Sequence, residues 1–305
     1  MDEYQLEWSS GAGLTRRPFL IHPDPSRFIP LGESERIRTD LSRCVARGEG
    51  IGLLTGASGT GKSLICQCLY EEFLEEGEHS DIAQAVLLQP GRLRSPVELD
   101  TALLSGLGME FPTQSSEGVV RAVLEQFLIT IDRGILVIVD PADRLSLRVW
   151  EEIQSLAGFS HSGRVPLRWI LSGSPFLEEQ LSHPHLGALN QRIAVRANLR
   201  NWNATEVREY MRTQLRAAKG IPEQFFTESG EHQIHRLTDG VPRLVNLLCD
   251  RILWHSLCED VIGPFDISQI RAIWNEIEGI APATLTNGSD EFVREDGDGP
   301  VQEEP

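Results

Sequence analysis

The chain has 305 residues, 40% hydrophobic and 24% charged, a balance typical of a globular chain long enough to bury a substantial core. Its formal net charge of −17 argues against a sequence-independent grip on nucleic acid, which needs clustered Lys and Arg to displace counterions. The longest apolar run beside a motif, 135–139, is far short of the roughly 18 residues that cross a membrane, and the acidic start Met1-Asp2-Glu3 is unlike a secretory leader.

Residues 1–17 are polar and Gly-containing without a period, which predicts a flexible arm. Prolines 23, 25 and 30 hold the next stretch extended. Ile37, Leu41 and Val45 recur at four-residue steps, so 33–47 is expected to be helical. The run Ile51-Gly52-Leu53-Leu54-Thr55 reads as a short buried strand, with a helix expected over 63–76. Strands near 85–88, 135–139, 167–171 and 193–197 then alternate with helices near 96–107, 117–131 and 146–156. That alternation predicts an α/β fold, a parallel sheet covered by helices on both faces. From 203 to 280 the strand signals vanish, and Pro222, Gly240-Val241-Pro242 and Gly263-Pro264 divide the region into helices. The expected organisation is an arm over 1–17, an α/β unit over 18–200, a helical unit over 201–280 and a disordered tail over 281–305. The tail carries seven acids against Arg294 alone, so the folded part is less acidic than the total.

Cys44, Cys66, Cys68, Cys249 and Cys258 are odd in number and irregularly spaced. They read as reduced thiols and a cytoplasmic setting.

The chemistry begins where the first strand ends. Gly56-Ala57-Ser58-Gly59-Thr60-Gly61-Lys62-Ser63 matches GxxxxGK[ST] in full, between a strand and a helix as the motif requires. Glycines let backbone N–H groups turn into one concavity that cradles phosphates, and the following helix adds its N-terminal dipole. Lys62 is expected to reach the β- and γ-phosphates and the Ser63 hydroxyl to ligate magnesium. A carboxylate at the end of a neighbouring strand completes such a site, and Ile135-Leu136-Val137-Ile138-Val139-Asp140 supplies it. The next residue, often Glu in ATPases of this kind, is Pro141; Asp143 is the nearest acid able to orient the attacking water. No guanine-reading NKxD segment is evident, which favours ATP.

Other residues invite plainer readings. His183 and His185 flank Pro184 with no acid or Cys cluster, as in a loop rather than a metal site. Trp169, Trp202, Trp254 and Trp274 read as core or helix-packing aromatics. Arg208, Arg212, Arg216 and Lys219 share one helix face, read as a solvated charged face that Glu206 and Glu209 partly offset.

With these motifs placed, the sequence resembles the AAA+ ATPases of the general-secretion-pathway protein A (ExeA/GspA) type. Pro18-Phe19 with Pro23-Asp24-Pro25-Ser26-Arg27-Phe28 is similar to that group's N-terminal PF…PDP…F signature. Leu171-Ser172-Gly173-Ser174-Pro175 is similar to its LxGQP segment, Gln191-Arg192-Ile193 to its QRI, and Gly240-Val241-Pro242-Arg243-Leu244-Val245-Asn246 to its GxPRxIN. Order and spacing agree from about 18 to 257. The resemblance implies a P-loop AAA+ core with a C-terminal helical lid, ATP and Mg2+ as ligands, and homo-oligomers or a protein partner to assemble or remodel. It implies that Ser174, with Ser172 as a second candidate, senses the γ-phosphate. It further implies that Arg192 is an arginine finger toward a neighbouring subunit and that Arg243 folds onto the γ-phosphate. This chain departs from the group at Pro141, and it shows neither the transmembrane helix nor the peptidoglycan-binding domain that often follows. Two other readings stay open: a nucleotide-held scaffold that does not hydrolyse, and a helper of DNA transactions.

Overall fold

The apolar runs become strands of a single sheet, whose three inner strands have neighbours on both sides. β1 (Ile51–Gly56), β2 (Ile82–Leu88), β3 (Gly134–Val139), β4 (Leu167–Gly173) and β5 (Ile193–Leu199) form one sheet in the order β2-β3-β4-β1-β5. Every neighbouring pair is parallel. The computed structural model describes residues 13–75, 81–109, 116–259 and 263–280. β1 and β3 are buried at every position, as inner strands of a sheet covered on both faces are. β5 alternates partly buried and exposed positions along most of its length, the signature of an edge strand. Helices Pro96–Gly106, Glu117–Thr130 and Leu147–Gly158 pack one face through Leu103, Leu124, Ile153 and Trp169. Helices Ser34–Arg47 and Lys62–Glu75 pack the other through Leu41, Ile65, Leu69 and Leu136. This order brings the carboxyl ends of β1, β3 and β4 together, where open parallel sheets place their ligands.

A separate core lies in helices Ala204–Ala217, Glu228–Thr238, Pro242–Glu259 and Ile267–Ile280, built on Val207, Met211, Ile234, Leu248, Ile252 and Ile270. The first of these helices starts at a capping box, in which Asn203 accepts from Glu206 N and Glu206 accepts from Asn203 N. Among the described residues no helix is long and apolar enough to cross a membrane.

The structure departs from expectation at the chain start. Residues 1–12 lie outside the described residues, as does the acidic tail 281–305. Residues 13–17, expected as part of a flexible arm, instead pack on the helical unit. Leu14 and Phe19 are fully buried in its core, Thr15 N donates to Ala218 O at 2.9 Å, and Arg17 grips Asp250 with two bonds of 2.6 and 2.5 Å. No local period announces this, because Ala218 and Asp250 lie 203 and 233 residues from their partners.

Two readings of charged and aromatic residues also change. The Arg208–Arg212 stripe is offset from a neighbouring helix: both pair with Glu231, at 3.3 and 2.8 Å. Glu206, expected to offset that stripe, pairs with Arg200 instead at 2.7 Å. Trp169 and Trp274 are core residues, whereas Trp254 is 36% exposed.

Asp100 is buried under helix Glu117–Thr130, with Arg121 3.8 Å away. Burial raises its pKa to about 6, against the opposing pull of Arg121. The folded state therefore holds this proton more tightly than the unfolded chain, and the associated stability is lost as pH rises from about 4 through about 6. Asp100→Asn is expected to flatten that dependence and raise the urea midpoint at pH 7. Urea melts of both proteins at pH 5 and 7.5 check this, and parallel pH dependences would refute it.

Candidate nucleotide site

The Gly-rich segment leaves β1 at Gly56 and enters helix Lys62–Glu75 without an intervening element. Gly61 has φ +103° and Gly59 φ +83°, values that L side chains rarely adopt. At Gly59 a Cβ would also fall 2.9 Å from Val241 Cγ1 and 3.1 Å from Arg243 Cβ. The helical unit thus lies directly on the loop, and Arg243 N donates to Gly59 O at 3.2 Å. Thr60 Oγ1 pins the loop internally on Ala57 O at 2.9 Å.

Lys62 folds back so that Nζ donates to Gly56 O at 2.8 Å and Ala57 O at 2.7 Å. Burial pulls its pKa below the usual value, opposed by the carboxylates of Asp140 and Asp143. A partly buried ammonium held, among the described residues, by two carbonyls, with two acids in electrostatic reach, fits an anion that would draw it outward.

Asp140 follows β3 directly, and Ser172, buried on β4, donates its hydroxyl to Asp140 Oδ1 at 2.7 Å. Ser172 is therefore a brace for the strand-end acid, which assigns it a different contact from the phosphate-sensing position expected as second candidate. Ser174, two residues on, lines the cavity, and its backbone N donates to Asp143 Oδ2 at 2.9 Å. Asp143 sits in a short turn, Ala142–Arg144, anchored by the buried Ala142.

These groups open onto one cavity of about 570 Å³, in the size range of sites for small molecules. Ser58, Gly59, Thr60, Gly61, Lys62, Ser63, Asp140, Asp143, Ser174 and Arg243 all line it. Gly56 and Ala57 act from below through their carbonyls. The hydroxyl of Ser63 and the carboxylate of Asp140 are hard oxygen donors of the kind magnesium takes alongside phosphate and water. The rest of the lining comes from residues within the segment 18–31 and from Trp202, Tyr210, Gln214 and Asn246, among others. Of these Trp202 was expected only to pack; its ring lies 4.6 Å from Tyr210 at the cavity. Tyr210 and Gln214 carry no motif that would single them out. Asn246 was visible as the last residue of the GxPRxIN-like segment, three residues beyond Arg243, but without a role of its own.

Arg192 is the exception among the expected site residues. Its carbonyl accepts from Ile51 N at 2.9 Å, which places it at the start of β1. Five strand residues separate that point from Gly56, about 17 Å at 3.3 Å per residue. The side chain is exposed, with one bond to Ala188 O at 3.2 Å. It does not share a cavity with its own loop. His183 caps and His185 lies within the short turn Pro184–Leu186, and among the described residues no group of three or more His, Cys, Asp or Glu could hold a metal ion.

Residues 45–181 match a family model described as an AAA domain. The chain is 32% identical over 248 residues to general secretion pathway protein A of Aeromonas hydrophila, covering 79% of this chain and 43% of the relative. It thus spans less than half the length of that curated relative. Among solved structures it is similar to Drosophila ORC bound to DNA, with a TM-score of 0.65 and 16% identity over 93% of this chain and 67% of that one. The Aeropyrum pernix ORC1 protein in complex with DNA gives a TM-score of 0.63 and 16% identity over 86% and 70%. At such identities the two structures bear on the fold alone.

Proposed function

We propose that the chain, with its AAA-domain match and its similarity to general secretion pathway protein A, is an AAA+ protein of that type, and that it binds ATP with magnesium and hydrolyses it to assemble or remodel a protein partner. One observation carries this reading: Lys62, Asp140, Asp143, Ser174 and Arg243 come from four separated segments and meet in a single cavity.

Loop amides and the N-terminus of helix Lys62–Glu75 receive the phosphates. Lys62 exchanges its two carbonyls for phosphate oxygens. Ser63 and Asp140 would hold magnesium, which would supply Lewis-acid neutralisation of phosphate charge. Ser172 keeps one Asp140 oxygen occupied and so fixes the orientation of the other. Asp143, held by the Ser174 amide, orients the attacking water in place of the acid that Pro141 lacks. Arg243, latched to the loop through its own N–H, faces the γ-phosphate. Arg192 serves the nucleotide of a neighbouring copy. A DNA-directed role is less favoured, because Arg208 and Arg212 are committed to acids of their own chain.

The test is equilibrium binding of a fluorescent ATP analogue with and without magnesium. Lys62→Ala is expected to weaken binding about ten- to a hundredfold, as loss of a charge-assisted contact does. Equal affinities for the two proteins would remove the loop from the function.

A further inference from the structure

One polar side chain in the cavity is used by none of these steps. Asn246 follows Arg243 by three residues on helix Pro242–Glu259, so the two share a face, and both line the cavity. The Tyr210 hydroxyl donates to Asn246 Oδ1 at 2.7 Å. Gln214 Nε2 donates to Tyr210 Oη at 3.4 Å and to Arg27 O at 3.4 Å. Gln214 and Tyr210 are only 3% and 8% exposed, so this relay is shielded from water and its bonds are not readily exchanged.

The relay has a direction. Burial raises the Tyr210 pKa to about 12, so the phenol stays a neutral donor. An amide that gives its oxygen to a hydroxyl must turn its nitrogen the other way. Asn246 is thereby locked with two N–H groups as its available end, and among the described residues no protein acceptor meets them.

Position selects which part of a ligand meets that end. Arg243 touches the loop at Gly59, and Asn246 lies about 4.5 Å further along the helix at 1.5 Å per residue. Its relay joins Tyr210 and the Arg27 carbonyl, residues that line the cavity from outside the phosphate loop. We propose that Asn246 is a hydrogen-bond donor to the nucleoside half of the bound nucleotide, with Tyr210 and Gln214 as positioning residues that fix its amide. The matching groups are acceptors on the sugar or the base ring. This rests on the nucleotide-binding reading above.

The experiment is calorimetric titration of the full chain with ATP and, separately, with inorganic tripolyphosphate. Wild type and Lys62→Ala establish first that ATP binds at the loop; no difference between them would overturn the parent reading, and this inference with it. Given that difference, Asn246→Ala is expected to weaken ATP about tenfold and leave tripolyphosphate within about twofold. Tyr210→Phe should give a smaller loss, again for ATP alone. Asn246→Asp, of nearly unchanged shape but without N–H donors, should lose at least as much ATP affinity as Asn246→Ala and guards against a disturbed lid. An unchanged ATP affinity in both Asn246 variants would overturn the proposal. So would an equal loss for both ligands, which would make Asn246 a packing residue of the lid.

Discussion

Replacing Asp143 by alanine is expected to lower ATP turnover by about 10²- to 10⁴-fold while leaving ATP affinity within about threefold, the range of a positioned acid–base group. The acid of β3 is followed by Pro141, which cannot titrate, so a water-orienting group has to come from elsewhere. Asp143 qualifies by geometry: it lines the cavity, its Oδ2 accepts from Ser174 N at 2.9 Å, and its backbone O accepts from Gln180 Nε2 at 3.2 Å. Gly173 leaves room for it, since a Cβ there would come within 3.3 Å of Asp143 Cγ. One carboxylate oxygen is thus fixed and the other is free to take a water. Asp143→Asn separates the two duties, because it retains an acceptor for Ser174 N but loses basicity. Single-turnover rates alongside binding constants decide the matter. Unchanged turnover in both variants would exclude Asp143 and turn attention to Glu178, which accepts from Thr55 Oγ1 at 3.2 Å just before the loop.

Arg192→Ala is expected to reduce turnover by about 10³- to 10⁵-fold with ATP affinity unchanged, the effect of removing an arginine finger. Because Arg192 lies at the far end of β1 from its own loop, its effect must be exerted on another copy. That geometry has a specific consequence for mixtures. Arg192→Ala subunits keep an intact loop, and Lys62→Ala subunits keep the arginine. Mixing the two inactive proteins should restore turnover at the interfaces where an intact loop meets an intact arginine. Activity that stays at background at every mixing ratio would contradict an action between subunits.

The parts legible in the sequence are those whose chemistry is local. The 56–63 loop is readable because a tight phosphate cradle needs glycines at fixed offsets between a strand and a helix. Asp140 is readable because β3 is buried on both faces and must be apolar until it emerges. The parallel sheet followed from strands alternating with helices, although β2 starts three residues early, at Ile82, where it pairs with Gly134. What was not legible depends on contacts across the chain. The clasp of Arg17 on Asp250 spans 233 residues, and neither residue carries a pattern that predicts the other. Glu231 takes both Arg208 and Arg212 because helix Glu228–Thr238 packs beside helix Ala204–Ala217, a tertiary fact. Ser172 was visible only through the resemblance, just past the strand expected at 167–171. Its bond to Asp140 required knowing that β3 and β4 are neighbours. The cavity wall at Tyr210, Gln214 and Asn246 was hidden for the same reason, since it exists only once the lid has closed on the loop.

The most direct test of the account is steady-state ATP hydrolysis with magnesium, measured across a wide range of protein concentration for wild type and Lys62→Ala. The account predicts turnover per subunit that rises with concentration, as copies bring Arg192 to one another's sites, and that falls to background in Lys62→Ala. Tight ATP binding with no turnover at any concentration would contradict it, and would leave a nucleotide-held scaffold in which Asp143 does not replace the acid missing at Pro141.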